Sequence, residues 1–289
     1  MSAGLSADYG RLIVQGDDQP GIVAAVSAAL TRQGANIVSL DQTSSDGAQG
    51  RFFQRTVFHL PDLSVKLDEL RAEFEDQLTG SLDLDFHLVE AKRRKRVAIM
   101  VSKTDHCMLD LLWRQRRDEL RMSVPMVISN HPELGDDVRQ FNIPFFHVPV
   151  EKGTKSVAEK EQLNLLKGNV DLVVLARYMQ VLSGDFLAEV GVPVINIHHS
   201  FLPAFMGAGP YQRAKERGVK LVGATAHYVT EDLDEGPIIE QDVIRVAHGD
   251  STAELQRKGA DVERLVLSRA VSWHCDDRVI RDGNTTVVF

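Results

Sequence analysis

VINIHHSFLPAF, residues 194–205, and LVGATAHYVTEDLDEGPIIEQ, residues 221–241, decide how this chain reads. Val192–Ile197 is an apolar run closed by turn chemistry at Ser200–Pro203, the pattern of a buried strand. At its end stand groups that a core does not want: Asn196, His198 and His199. Leu221–Val229 is a second apolar run carrying His227, and an acidic turn with Asp234 follows it, just before Gly236–Pro237. Alternate residues of a strand share a face, so Asn196 and His198 can converge on one substrate atom. A fixed amide donor, an imidazole and a carboxylate are what acid–base chemistry on a carbonyl needs: one for the oxyanion, one to move a proton, one to orient or deprotonate the nucleophile or to tune the imidazole. Taken singly, each also has a structural reading, as a satisfied strand-end or turn residue.

Working outward, Val97–Val101, Met126–Ser129, Phe145–Val148 and Asp171–Leu175 read as short strands. Helical segments follow from Leu109, at Gly135–Phe141, at Lys155–Leu166 and at Ser183–Val190, the last with Ser183 as N-cap. Alternation of this kind predicts a Rossmann-like, doubly wound and mostly parallel sheet, with its ligand beyond the carboxyl ends of the strands, where Asn196–His199 falls. Thr252–His274 reads as a long helix with Val262, Leu265, Val266 and Ala270 on one face, and Val279–Ile280 and Val287–Phe289 as a terminal hairpin.

Upstream, Tyr9–Gln15 alternates as a strand. A turn at Gly16–Gly21, a helix to Gln33–Gly34, strands Asn36–Ser44 and Arg51–His59 around a turn at Asp46–Gly50, a helix after Pro61–Asp62 and a last strand Leu82–Val89 complete a βαββαβ order. That is the ferredoxin-like unit. Ala91–Arg96 (AKRRKR) reads as a solvated connector, which sets the expected domains at residues 1–92 and 93–289.

Composition narrows the function. With 289 residues, 43% of them hydrophobic, the chain can bury two cores, and a net charge of −8 argues against a broad nucleic-acid surface. The two cysteines, Cys107 and Cys275, and the lack of a signal or membrane-length apolar segment predict a reduced, cytoplasmic protein. His106, His131, His199 and His227 match no structural zinc spacing, and His198 and His199, as strand neighbours, should face opposite ways, so no metal is expected.

Asp17-Asp18-Gln19-Pro20-Gly21-Ile22 with Gly34-Ala35-Asn36-Ile37 resembles the ACT domain over about residues 8–90. That resemblance implies an amino-acid-like effector near Asp18, Gly21, Ile22 and Asn36, and assembly into a dimer or tetramer. Asn196-Ile197-His198, Ser200-Phe201-Leu202-Pro203 and Leu233-Asp234-Glu235-Gly236-Pro237 resemble the folate-dependent formyltransferase fold over nearly all of residues 97–289. It implies Asn196, His198 and Asp234 as the catalytic set. It also implies a pterin-holding segment at Arg177, Tyr178, Met179, Gln180, Val181 and Leu182, with His199 and His227 lining the pocket.

Within that fold, Ser102–Cys107 lacks the glycine-rich phosphate loop of the glycinamide ribonucleotide transformylases. The doubled His198–His199, Ala204–Ala208, Ala224–Tyr228, the closing Thr-Val-Val-Phe and the fused ACT-like unit are similar to the formyltetrahydrofolate deformylase family. Lys258-Gly259-Ala260 departs from that pattern, where a Gly-Arg pair is expected. The resemblance implies hydrolysis of 10-formyltetrahydrofolate to tetrahydrofolate and formate, supplying formate for purine synthesis, with no further cofactor. Two alternatives stay open: formyl transfer to an amine, and a non-catalytic folate- or amino-acid-binding regulator.

Overall fold

A computed structural model describes residues 7–45, 50–203 and 210–289, in which the chain forms two units. The expected turn at 46–49 and the Ala204–Ala208 motif lie outside the described residues.

The first unit holds β1 (Tyr9–Asp17), α1 (Ile22–Arg32), β2 (Asn36–Ser44), β3 (Arg51–His59), α2 (Leu63–Phe74), a π-helical turn (Glu75–Gly80) and β4 (Asp85–Glu90). Its sheet runs β2-β3-β1-β4, antiparallel throughout, which is the expected ferredoxin-like order. Leu12 and Val14 of β1, Ile22, Val26 and Leu30 of α1, and Leu70 and Phe74 of α2 form one core, as strand and helix periodicity dictate. The last strand starts later than its alternation suggests, because Asp83 takes a left-handed turn (φ 53°) and Leu84 is spent in the core. The unit extends to Arg94 and also takes in Asp276–Ile280 and Val287–Phe289, so a single cut after residue 92 does not describe it. The reason is a buried cation: Arg11 of β1 pairs with Asp276 and Asp277 at 3.0 Å each. Arg55 donates to the carbonyls of the same two residues.

In the second unit β5 (Lys95–Val101), α3 (His106–Arg116), β6 (Met122–Ser123), β7 (Val127–Ser129), α4 (Gly135–Arg139), β8 (Phe145–His147), α5 (Lys155–Leu166), β9 (Leu172–Leu175), α6 (Gly184–Val190) and β10 (Val194–His198) alternate as expected. Then come α7 (Pro210–Arg217), β11 (Leu221–Tyr228), β12 (Ile238–Arg245) and α8 (Thr252–Cys275); the chain closes with the hairpin strands β13 (Val279–Asp282) and β14 (Thr285–Val288), whose outer residues count with the first unit. The sheet order is β12-β11-β10-β9-β5-β7-β8, with β6 beside β5. From β10 to β8 the strands are parallel; β11 and β12 add an antiparallel edge. β12 is absent from the sequence reading, and the connector reading of Ala91–Arg96 gives way at its end: Lys95 and Arg96 already belong to β5, where Arg96 is held by both oxygens of Asp171. Ser183 caps α6 by accepting from the Phe186 N–H. Since β5 is followed by β7 on one side and β9 on the other, the sheet reverses direction between β5 and β9, and the crevice outside those strand ends is the place for a ligand. No described helix is long and apolar enough to cross a membrane.

Candidate active site

β10 lies between β9 and β11, so Asn196 stands in register with Leu175 on one side and His227 on the other. Ile195 and Ile197 enter the core, which turns Asn196 and His198 to the opposite face together. The loop leaving β10 is tied down from below. The Thr225 hydroxyl donates to the Ser200 carbonyl at 2.9 Å and accepts the Leu202 N–H at 3.0 Å, while Gln241 donates to both Thr225 and the Leu202 carbonyl. That tether fixes where His198 and His199 sit.

His198 Nδ1 lies 3.2 Å from Asp234 Oδ1, and His227 Nε2 lies 3.8 Å from the same oxygen. The bond from His198 holds the Asp234 carboxyl below its ordinary value, against burial, which acts the other way. Asp234 reaches its place from a left-handed turn (φ 59°), a conformation that Asp tolerates better than most residues. His227 is oriented by its neighbour's backbone. A carbonyl only accepts, so Nδ1 donates to the Tyr228 carbonyl at 2.9 Å, and Nε2 is left to accept from Asn196 Nδ2 at 3.2 Å. Burial lowers the pKa of His227 and keeps this ring neutral. One Asn196 N–H is thereby fixed and the other is free for a ligand. His198 Nε2, on the far side of its ring from Asp234, is buried and bonds to no protein group among the described residues.

These side chains line a cavity of about 720 Å³ at the strand ends. One wall is Leu175 at the end of β9 and Arg177–Leu182 after it, together with Val229–Asp234. Ser102 at the end of β5 shapes it, accepting the Met179 N–H at 2.9 Å. Met179 and Val181 are exposed, Arg177 and Gln180 half-buried, and Leu182 buried. Tyr178 presents backbone, since its ring is in the core and its hydroxyl accepts from Gln162. Burial pushes that phenol up to about 12.

The formyl transferase family matches this chain over residues 95–271, and the ACT domain over residues 10–75. The formyltetrahydrofolate deformylase of Mycobacterium tuberculosis is 62% identical over 283 residues, 98% of this chain and 91% of that protein. The chain belongs to the formyltetrahydrofolate deformylase family. The deformylase of Bacillus subtilis is 50% identical, over 98% of this chain and 94% of its own. The crystal structure of the Burkholderia mallei deformylase superposes with a TM-score of 0.91 at 43% identity, covering 98% of this chain and 99% of that one.

In this deformylase-family chain the other end of the cavity holds a cluster that the motif reading did not single out as a site, although one of its members, Arg177, belongs to the expected pterin-holding segment. Glu263 of α8, 2% exposed, receives Tyr211 Oη on Oε1 at 2.7 Å, and on Oε2 has His106 Nε2 at 2.9 Å and Arg177 Nε at 3.5 Å. Burial would raise its pKa, but the bond from His106 and the charge of Arg177 outweigh that and lower it. The helix face had been expected to carry Leu265, which is 42% exposed; the inward position belongs to Glu263. An acid falling among Val262, Val266 and Ala270 is the signal that could have found it. His199 does not face away from His198 as strand neighbours would: β10 ends at His198, alternation stops, and the two rings lie 5.1 Å apart, so that His199 lines the cavity as the family resemblance implies. Burial lowers His199 to about 4, with the Arg177 charge adding to it.

His106, Cys107 and Glu263 bring ligand atoms within 4.8 Å of one another. The cation beside that carboxylate is the Arg177 guanidinium, and His106 is its hydrogen-bond partner. Cys107 and Cys275 are free and buried, and burial pushes the Cys107 thiol well up, away from nucleophilic use. In the ACT unit, Ile22 is a core residue while Asp18, Gly21 and Asn36 are exposed.

Proposed function

We propose that this chain hydrolyses 10-formyltetrahydrofolate to tetrahydrofolate and formate, with Asn196, His198 and Asp234 carrying the reaction. The observation that supports it most is the 3.2 Å contact of His198 Nδ1 with Asp234, beside Asn196 on the same strand face. The Asp234 carboxylate accepts a hydrogen bond from the His198 Nδ1–H and leaves Nε2 as the proton-accepting atom turned to the cavity. A water between Nε2 and the formyl carbon gives its proton to His198 as it attacks. The free Asn196 N–H meets the oxyanion. The imidazolium, stabilised by Asp234, returns the proton to N10, and the C–N10 bond breaks. In this reading His198 takes the water proton and Asp234 anchors and tunes the imidazole, one of the carboxylate roles that the sequence leaves open.

The exposed Met179 and Val181 and the backbone around Tyr178 suit the flat pterin, with Gln180 and Leu182 beside it. Every step is assigned to side chains and water, so no metal or further cofactor is proposed. The ACT unit is proposed to bind an amino-acid-like effector at Asp18, Gly21, Ile22 and Asn36, and to pair copies into a homo-oligomer through edge strands. A cytoplasmic location is proposed with it, on the ground that Cys107 and Cys275 are free thiols. The test is formate release from 10-formyltetrahydrofolate by purified protein with no acceptor present. One formate per tetrahydrofolate is expected; turnover that waits for an added amine would overturn the hydrolase reading.

A further inference from the structure

The cluster around Glu263 plays no part in the proton path just described, yet the fold goes to some length to build it. Arg177 sits at φ 63°, a left-handed conformation unfavourable for an L-residue with a long side chain, and its guanidinium is directed into the cavity end beside Glu263. Gly259 lies one helical turn before Glu263. A Cβ there would stand 1.9 Å from Tyr211 Oη, so only glycine lets the phenol lie on α8 and reach the carboxylate. His106, from the start of α3, completes the ring at 2.9 Å. Residues from three other parts of the chain thus converge on one buried acid, and Tyr211 and Glu263 are 7% and 2% exposed. His199 connects the cluster to the reacting groups, with its ring centroid 5.1 Å from that of His198 and 6.1 Å from that of Tyr211.

We propose that Arg177, Tyr211 and Glu263 are specificity-determining residues: they wall off the end of the cavity beyond His199, deny that space to the substituents of an amine nucleophile, and so reserve the formyl group for water. The inference rests on the hydrolase reading above. Water needs no space beyond its own oxygen, whereas an amine carries carbon with it, and that carbon meets the guanidinium and the phenol. The chemistry is otherwise the same for both nucleophiles. With water, a C–O bond forms, the C–N10 bond breaks and a water proton ends on N10. With an amine, a C–N bond forms, the C–N10 bond breaks and an amine proton ends on N10. Neither route needs a redox partner.

The test is product partition in the full-length protein, with 10-formyltetrahydrofolate as donor and glycinamide, whose weakly basic amine is substantially neutral near pH 8, as the competing nucleophile. Formate, tetrahydrofolate and N-formylglycinamide are quantified together. Wild type is expected to give formate equal to tetrahydrofolate at every glycinamide concentration. Arg177→Gly, which also relieves the backbone, and Tyr211→Ala are expected to raise the amide-to-formate ratio at least tenfold, in proportion to glycinamide. The near-isosteric Glu263→Gln, which loosens the cluster without emptying it, should move the ratio in the same direction. The proposal is overturned if wild type itself formylates glycinamide, or if variants that still hydrolyse keep the wild-type ratio. Folded variants that lose both reactions would place the cluster in hydrolysis, and unfolding of all three by circular dichroism would make it a structural support; either result overturns it. A wild type that yields no tetrahydrofolate with water would contradict the hydrolase reading itself, a distinguishable failure.

Discussion

The cavity of the second unit and the β1–α1 turn of the first place polar residues at strand ends in opposite ways. Around the cavity the polar side chains are buried and interlocked: His198, His227 and Glu263 are 6%, 2% and 2% exposed, and each is oriented by a partner. At the turn, Asp18, Gly21 and Asn36 face solvent and only Ile22 is anchored. A buried polar group is costly unless paired, so the arrangement around the cavity is over-determined, and removing one member leaves others unsatisfied. Solvated turn residues carry no such coupling. Substitutions in the cavity should therefore act by orders of magnitude on rate, and those at the turn by small steps in stability or ligand response.

The largest effect expected is from Asp234→Asn. An amide in place of the carboxylate neither holds the His198 Nδ1 proton as firmly nor stabilises an imidazolium. kcat for formate release should fall by about 10²–10⁴-fold with KM little changed. A value within twofold of wild type would remove the Asp234–His198 pair from the mechanism. His227→Ala comes next. It touches no reacting atom in the proposal, but it frees the Asn196 amide to rotate, and a loss of about 10²-fold in kcat is expected from misorientation. Replacement by Gln, which can still accept from Asn196, should recover part of that loss in the same assay. A merely structural His227 would show no such recovery.

Acid should distinguish the two regions through stability. His199 has its folded pKa lowered to about 4, chiefly by burial, from an ordinary value near 6.5. Between those values the unfolded chain binds the proton and the folded one does not, so stability rises with pH through this window and is complete above it. Asp234 and Glu263, with lowered folded values, lose their contributions at still lower pH, in the same direction. The unfolding midpoint of the second unit should therefore fall as pH drops from about 6.5 towards 4. His199→Asn should flatten that slope, which calorimetry at a series of pH values would measure.

How much of this was legible in the sequence follows from the same contrast. Asn196 and His198 could be read because two residues apart on one strand must share a face, and Asp234 because a polar group stood in a turn next to an apolar run. The deformylase-family motifs then fixed them as a set. The Glu263 cluster was not legible as a site: His106, Arg177, Tyr211 and Glu263 come from four segments, and only folding brings them together. Even so, an acid on the inward face of α8 was visible as an anomaly. β12 escaped because Ile238–Arg245 mixes exposed and half-buried residues without clean alternation, as an edge strand does. The C-terminal segments joining the first unit follow from the Arg11 ion pairs, a pairing between residues more than 260 positions apart that no local pattern carries.

The smallest effects belong to the turn, and there two substitutions separate backbone from ligand. Gly21 precedes α1 at φ 99°, with nothing within 4 Å of where a Cβ would sit. Gly21→Ala therefore meets no clash and carries only the cost of the left-handed backbone, about 1–2 kcal/mol. Urea denaturation should register that cost as a lower midpoint for the unit containing Tyr9–Glu90. Asp18→Ala, at an exposed side chain, should shift the same midpoint by less than about 0.5 kcal/mol. Its consequence should appear only when formate release is assayed against a panel of amino acids. If the turn binds such an effector, the response seen in wild type is expected to weaken in Asp18→Ala while the denaturation curve stays in place. A wild-type response that persists unchanged in Asp18→Ala would separate effector recognition from this carboxylate and leave the turn as a helix start alone.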